Sequence, residues 1–345
     1  MKRNMRWIVI LVFLFSCLVT GCGSSNNKAA APRKDNETIY KWDFFVVLPT
    51  TQMRSKPLDD FAKSVKEKSG GRLVITPKAA GEVPYKGPEA IRITRDGSVQ
   101  MADATMAFIA GDLKAAAVPS WPFLCAAPDE FNKAVEAVRP IVNEEMKVNG
   151  VEVLFWFPDP PQRFWGKGRP IHSFADLKGK KIRTPSPEAS QFIKDIGAIP
   201  VSMTSPEVPS AMQKGIIDAM ITSAITVNDG KFYEFLDWGY TIPFSGSGGW
   251  VIVNSKLFAE LPKDLQDIMR TEAKKYQEIA IQSVSANDKI ALENIKAQGV
   301  TLIDPDASAI KQGYNMSKEN WTKYAKEGGP WAEKALQAIL EALQK

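Results

Sequence analysis

The chain is poor in the residues that most often build catalytic and metal sites. It holds one histidine, His172, and three cysteines in 345 residues. A His/Cys zinc site or a Ser-His-Asp triad needs partners that His172, beside Arg169-Pro170, lacks in the sequence. Cys17 and Cys22 fall in the N-terminal segment, which leaves Cys125 without a mate for an intrachain disulfide. Cys125 lies in Pro122-Phe123-Leu124-Cys125-Ala126, an apolar setting that suits an inert buried thiol. Lys alternates with Asp and Glu and no basic stripe forms, so no nucleic-acid partner is expected. Internal repeats are absent. Beyond the N-terminus no apolar run approaches the ~20 residues that cross a bilayer.

What is present begins with an export address. Lys2, Arg3 and Arg6 precede an apolar run from Trp7 to Val19, the layout of a secretory signal. The run ends in Leu18-Val19-Thr20-Gly21-Cys22, which resembles a bacterial lipobox with Cys22 as the lipidated residue. Residues 1–21 read as a signal peptide and 22–37, rich in Gly, Ser, Asn and Ala, as a tether. Removing Lys2, Arg3 and Arg6 takes the net charge from +5 to +2. Part of the basicity is therefore targeting. The expected location is the periplasm or the outer face of the cell membrane, held by the lipid anchor alone.

The remaining length exceeds one ordinary core. Strand signals at Tyr40–Leu48, Leu73–Ile75, Met101–Thr105 and Val151–Phe157 alternate with helical spacing at Pro57–Lys68, Pro88–Arg95 and Phe131–Met146. A second unit starts near Pro158-Asp159-Pro160-Pro161. Its strands are Arg163–Gly166, Lys181–Thr184 and Ile216–Ile221, and its helices Pro187–Ile196 and Pro206–Lys214. Gly246–Val253 reads as a strand returning to the first unit, and Pro262 opens a helix running to about Ala297. The alternation predicts an α/β chain with a largely parallel sheet. The fold class is a two-lobed, periplasmic-binding-protein-like architecture with a hinge, a ligand cleft between the lobes and a long helix spanning both. Residues 38–160 plus 249–288 are assigned to lobe I. Residues 161–248 plus 289–345, with the C-terminal helices, are assigned to lobe II.

Several ordered segments resemble the solute-binding proteins of TRAP transporters, the DctP family. They are Ser69-Gly70-Gly71-Arg72, Pro122-Phe123-Leu124, and the run from Phe174 through Asp176-Leu177-Lys178-Gly179 to Lys181-Ile182-Arg183-Thr184-Pro185. Gly197-Ala198-Ile199-Pro200, Glu207-Val208, Met212 to Ala219, Val253-Asn254 and Leu261-Pro262 complete the set. The resemblance covers about residues 40–300. It implies capture of a small organic acid for delivery to TRAP membrane permease subunits, with no enzymatic step and no cofactor; no metal is expected, because apolar Met220 and Ile221 stand where many members carry a residue that can hold an ion. A ligand sensor for a receptor kinase, and a binder of sugar acids or dicarboxylates, are the alternatives.

The resemblance assigns the ligand carboxylate to Arg183. An arginine is permanently charged, and its planar fork matches both carboxylate oxygens. Arg163, twenty residues earlier, matches a second ligand contact of some members. Ser186 follows Arg183 closely enough to donate to the same group. Glu207 belongs to the same set of pocket segments. The chain departs from the family at Asp218-Ala219-Met220-Ile221-Thr222-Ser223, where Met220 and Ile221 replace a possible acidic ligand and Thr222 or Ser223 takes the polar contact. Pro209 stands where the family carries Tyr. Phe44, Phe45, Trp121, Phe155, Trp156, Phe164, Trp165 and Trp250 crowd the segments around the cleft, and Phe45, Trp165 and Trp250 are taken as ligand contacts. Gly246, Gly248 and Gly249 let the backbone run close to a neighbour. An aromatic wall with one buried arginine suits an aromatic or apolar monocarboxylate or a 2-oxo acid.

Overall fold

The computed structural model describes residues 38–345 apart from Pro49 and Thr51. The expected signal peptide, the expected lipidation site Cys22 and the expected tether lie outside the described residues. No described helix is long and apolar enough to cross a membrane.

The strands are β1 (Tyr40–Val46), β2 (Leu73–Ala79), β3 (Met101–Thr105), β4 (Val151–Gly166) and β5 (Lys181–Thr184). They continue with β6 (Ile199–Ser202), β7 (Ala219–Ser223), β8 (Trp238–Asn254) and β9 (Thr301–Ile303). They join in the order β2-β1-β3-β8-β4-β7-β5-β6, with β9 beside β8. The outer pairs β1/β2, β1/β3, β5/β6 and β5/β7 are parallel. The central pair β4/β8 is antiparallel, so the sheet is mixed. The helices are α1 (Lys56–Lys68), α2 (Ala90–Arg95), α3 (Lys114–Ala117), α4 (Pro128–Val148), α5 (Pro187–Asp195) and α6 (Val208–Gln213). They continue as α7 (Ala224–Asp229), α8 (Ser255–Ala259), α9 (Lys263–Ala297), α10 (Ala307–Gly328) and α11 (Pro330–Leu343).

β4 and β8 make the molecule two-lobed. One end of each joins β1, β2 and β3, and the other end joins β5, β6, β7 and β9. Successive side chains of a strand face opposite sides, so each half of the sheet carries two cores. In the first lobe Phe45, Trp156 and Trp250 pack on one face, and Phe44, Phe155 and Val251 on the other. In the second, Phe164, Ile182 and Tyr240 face one way and Trp165, Met220 and Ile217 the other.

The prolines near residue 160 were read as a boundary between strands. They instead lie inside one continuous strand, where β4 passes from lobe to lobe. Proline gives no N–H to a ladder, so regular pairing falters there. The register against β8 shifts between Asp159 and Gln162 and again between Gln162 and Phe164.

Helix α9 bridges the lobes. Leu265, Met269 and Ala273 pack in the first lobe, and Ala291 and Ile295 in the second. The C-terminal helices, assigned to lobe II, divide between the lobes: Ala309 near the start of α10 packs in the second-lobe core. Trp321, Tyr324, Ala335 and Ile339 of α10 and α11 join the core of the first lobe, against α4. An amphipathic pattern gives a helix its buried face but not the lobe that face meets.

Candidate functional site

A cavity lies where the two halves of the sheet meet. Its walls come from both lobes: Arg54, Thr105 and Phe108 on one side, Arg183, Ser186 and Thr222 on the other. Asp159, Gln162, Ser245 and Ser247 of the two crossing strands close it at the junction. The volume open to the centres of water-sized molecules is about 50 Å3. At about 10–15 Å3 for each water, that is room for a few waters or one compact molecule.

Arg183 sits in β5, between β6 and β7, opposite Val201 and Met220. Flanking parallel strands hold its backbone and leave the side chain at the cleft end of the strand, where open α/β sheets place their ligands. The residue is only 2% exposed. Its Nε donates to the Met203 carbonyl at 2.9 Å, and Nη1 to the Ile221 carbonyl at 2.7 Å. Among the described residues the guanidinium forms no ion pair. Burial pushes its pKa down to about 10, and the distant Glu207 opposes this only in part. It still carries its charge at neutral pH. A buried, fully charged guanidinium without a counter-ion is costly to maintain.

Ser186, Thr222 and Ser223 line the same cavity. Ser186 caps α5, accepting from the Ala189 N–H at 3.2 Å, and Ser223 caps α7, accepting from Thr226 at 3.3 Å. Both chain turns follow the cleft ends of parallel strands. The N-terminus of α5 therefore adds a weak positive field beside Arg183.

The other expected site residues lie elsewhere. Arg163 grips Asp288 of α9 with both Nη atoms, at 2.9 and 2.7 Å. It is a strut between β4 and the long helix and does not line the cavity. Trp165 donates from Nε1 to the Thr222 carbonyl at 2.9 Å, and Trp250 to that of Ala116 at 3.0 Å. Both indoles, like Phe45, are packed in cores. Glu207 caps its own turn through Thr204 and pairs with Lys86 across the cleft mouth at 3.2 Å. In place of the aromatic lining expected from the sequence, the cavity mixes polar side chains with small apolar ones such as Val47, Leu48 and Ala189, and Phe108 is its aromatic member. Aromatic side chains on strands buried on both faces go into cores whichever way they point.

The glycines before Trp250 accommodate the core. A Cβ at Gly246 would stand 2.1 Å from the Phe131 ring, and one at Gly249 2.6 Å from Asp103 Oδ1.

A second polar group, which no motif in the sequence marks, lies on the first-lobe wall. Arg54, in the loop before α1, donates from Nη1 to Asp103 Oδ2 at 2.7 Å, from Nη2 to Thr105 Oγ1 at 3.0 Å, and from Nε to Asp159 Oδ2 at 3.1 Å. Its guanidinium stacks on Phe157, 4.9 Å from the ring centroid. Burial alone would lower the Arg54 pKa, but the charges and hydrogen bonds of Asp103 and Asp159 reverse the sign and raise it. Burial raises Asp159 despite the pull of Arg54, and the Asp103 charge adds to the rise. One signal was available. Asp103 interrupts the apolar strand Met101–Thr105, and an acid buried in a strand needs a partner.

Comparison with known proteins agrees with this geometry. The family described as bacterial extracellular solute-binding protein, family 7 (DctP) matches residues 45–327. An extracytoplasmic solute receptor of Bordetella pertussis that binds pyroglutamic acid superposes with a TM-score of 0.82 at 25% identity, covering 88% of this chain and 99% of its own. A monocarboxylate 2-oxoacid-binding periplasmic protein of Nostoc is 25% identical over 288 residues, 76% of this chain and 74% of that one. A solute-binding protein of Albidiferax ferrireducens is 24% identical over 284 residues, covering 79% and 81%. This chain belongs to the DctP family, the extracytoplasmic solute receptors of TRAP transporters.

Proposed function

We propose that the protein captures a compact organic monocarboxylate outside the cytoplasmic membrane and delivers it to a TRAP permease. The observation that carries this reading is the buried Arg183 guanidinium, which faces the cleft without a counter-ion. A ligand carboxylate completes the pair in a desolvated site, where charge-assisted hydrogen bonds are strong. Ser186, Thr222 and Ser223 supply further polar contacts at the same end. The Bordetella receptor binds pyroglutamic acid and the Nostoc relative 2-oxo acids. Both ligands are organic carboxylates.

Binding begins on one lobe and ends with closure about the junction near residues 159–162 and 245–247. Two contacts already span the cleft: Lys86 with Glu207, and the Met53 N–H with Asp229 Oδ2 at 2.6 Å. Closure excludes water from Arg183 and presents a joint surface of both lobes to the permease. The N-terminal address places the mature protein on a lipid anchor at Cys22. Growth with radiolabelled palmitate tests this, since Cys22→Ser must abolish the label.

Thermal stability in the presence of organic acids tests the ligand class. A saturating ligand at ~100 times its Kd stabilises by about 2.7 kcal/mol. A monocarboxylate should raise the melting temperature, its amide should not, and Arg183→Ala should abolish the shift. An acid that binds Arg183→Ala as tightly as the wild type sinks the assignment.

A further inference from the structure

The cavity has two walls of opposite character. Arg183 leaves a positive charge unmet on the second lobe. On the facing side Arg54, Asp103 and Asp159 combine one guanidinium with two carboxylates, an excess of one negative charge when both acids are ionised. Asp103 is fully buried behind this wall, whereas Asp159 lines the cavity. A carboxylate offers about four acceptor positions. Asp159 uses them on the Arg54 Nε, at 3.0 and 3.1 Å, and on a long bond from the Ser247 hydroxyl at 3.4 Å. Acceptor capacity is left over on a residue that lines the cavity.

Resting on the monocarboxylate reading, we propose that Asp159 selects the ligand at the end away from Arg183. It takes acids that carry a hydrogen-bond donor there, a lactam N–H or a hydroxyl, and turns away dicarboxylates. A donor on the ligand fills the spare acceptor sites of a buried carboxylate, which otherwise stay unsatisfied. A second carboxylate on the ligand meets the excess negative charge of the triad, and like charges in a dry cavity repel strongly. Arg54 does not offset this, because both acids already hold it. The raised Asp159 pKa accords with a carboxylate whose burial Arg54 only partly compensates. Discrimination of this kind is sharp when a missing donor leaves a buried polar group unpaired.

Isothermal titration of the full mature domain with matched ligands tests the proposal. Pyroglutamate is compared with N-methylpyroglutamate, lactate with 2-methoxypropionate, and both donor-bearing acids with malonate. The wild type should prefer each donor over its methylated partner by at least ~10-fold, and malonate should bind worst. Asp159→Leu, which removes both acceptor oxygens, should bring the donor preference below about threefold, and Asp159→Asn, which removes the charge, should improve malonate, while binding still depends on Arg183. Should either variant fail to fold, the wild-type preference and the charge-retaining Asp159→Glu carry the test. Acids that bind through Arg183 without donor preference, or with a preference that survives Asp159→Leu, overturn this proposal and leave the monocarboxylate reading standing. Binding of donor-bearing acids that is indifferent to Arg183→Ala overturns the underlying reading instead, and no binding by any of these acids overturns both.

Discussion

Arg163 and Asp288 form a two-pronged ion pair that ties β4, just past the lobe junction, to the long helix α9. Arg163 Nη1 also donates to the Pro161 carbonyl at 3.2 Å, and Nε to that of Thr241 at 3.3 Å. The pair thereby fixes the strand at the point where its register breaks. Removing one partner of such a buried pair leaves the other uncompensated, so Asp288→Asn should destabilise by about 3 kcal/mol or more in urea unfolding. The double change Arg163→Met with Asp288→Leu should recover much of that loss. Ligand affinity should suffer less than in Arg183→Ala. Loss of binding without loss of stability would place Arg163 in the pocket after all.

Arg183 invites the opposite outcome. Among the described residues its charge is buried without an ion-pair partner, and burial pushes its pKa down to about 10 against the pull of Glu207. Arg183→Met keeps most of the volume and removes the charge, at the loss of hydrogen bonds to the Met203 and Ile221 carbonyls. The ligand-free variant should therefore be more stable than the wild type, by on the order of 1 kcal/mol, as its thermal unfolding would show. It should also gain nothing from added acid. A variant less stable than the wild type would mean that the guanidinium is better satisfied than its contacts indicate.

Asp159 predicts a pH dependence of definite sign. Burial raises its pKa above the ordinary 3.8, so the folded chain holds that proton more tightly than the unfolded chain. Its contribution to stability is full below 3.8 and is lost as pH rises through the raised folded value. The stability of the wild type minus that of Asp159→Asn should therefore fall as pH climbs from about 4 toward neutrality. Urea midpoints of the two proteins across that range give the difference directly. A difference that grows with pH would show that Arg54 outweighs burial.

Gly249 lies against the first-lobe triad. A Cβ there would stand 2.6 Å from Asp103 Oδ1 and 2.7 Å from the Phe157 ring. That ring is the one under Arg54. Gly249→Ala should displace both and destabilise by about 1–3 kcal/mol. It should also weaken acid binding, because Asp159 and Arg54 shift together. Unchanged affinity in a destabilised variant would separate the triad from the ligand.

Much of the fold was legible along the chain because it is local. The strands at Met101–Thr105 and Lys181–Thr184 and the helix ending at Ala297 match their expected limits, since hydrophobic period and Gly/Pro punctuation act within a few residues. Pro158 to Pro161 misled for the same reason. Proline marks a break in pairing, and here the break is a lobe junction inside one strand.

The sequence by itself determined the alternating elements, the family and the position of Arg183, because an ordered set of short motifs carries all three. Only the tertiary structure decided what faces the cleft. Arg54, Asp103 and Asp159 come from separate segments; Asp103 inside an apolar strand signals that a partner is needed, but nothing local says which residues supply it. Trp165, Trp250 and Phe45 look the same in sequence whether they meet a ligand or a core. Strand packing sends them into cores and leaves the cleft to polar side chains interspersed with small apolar ones.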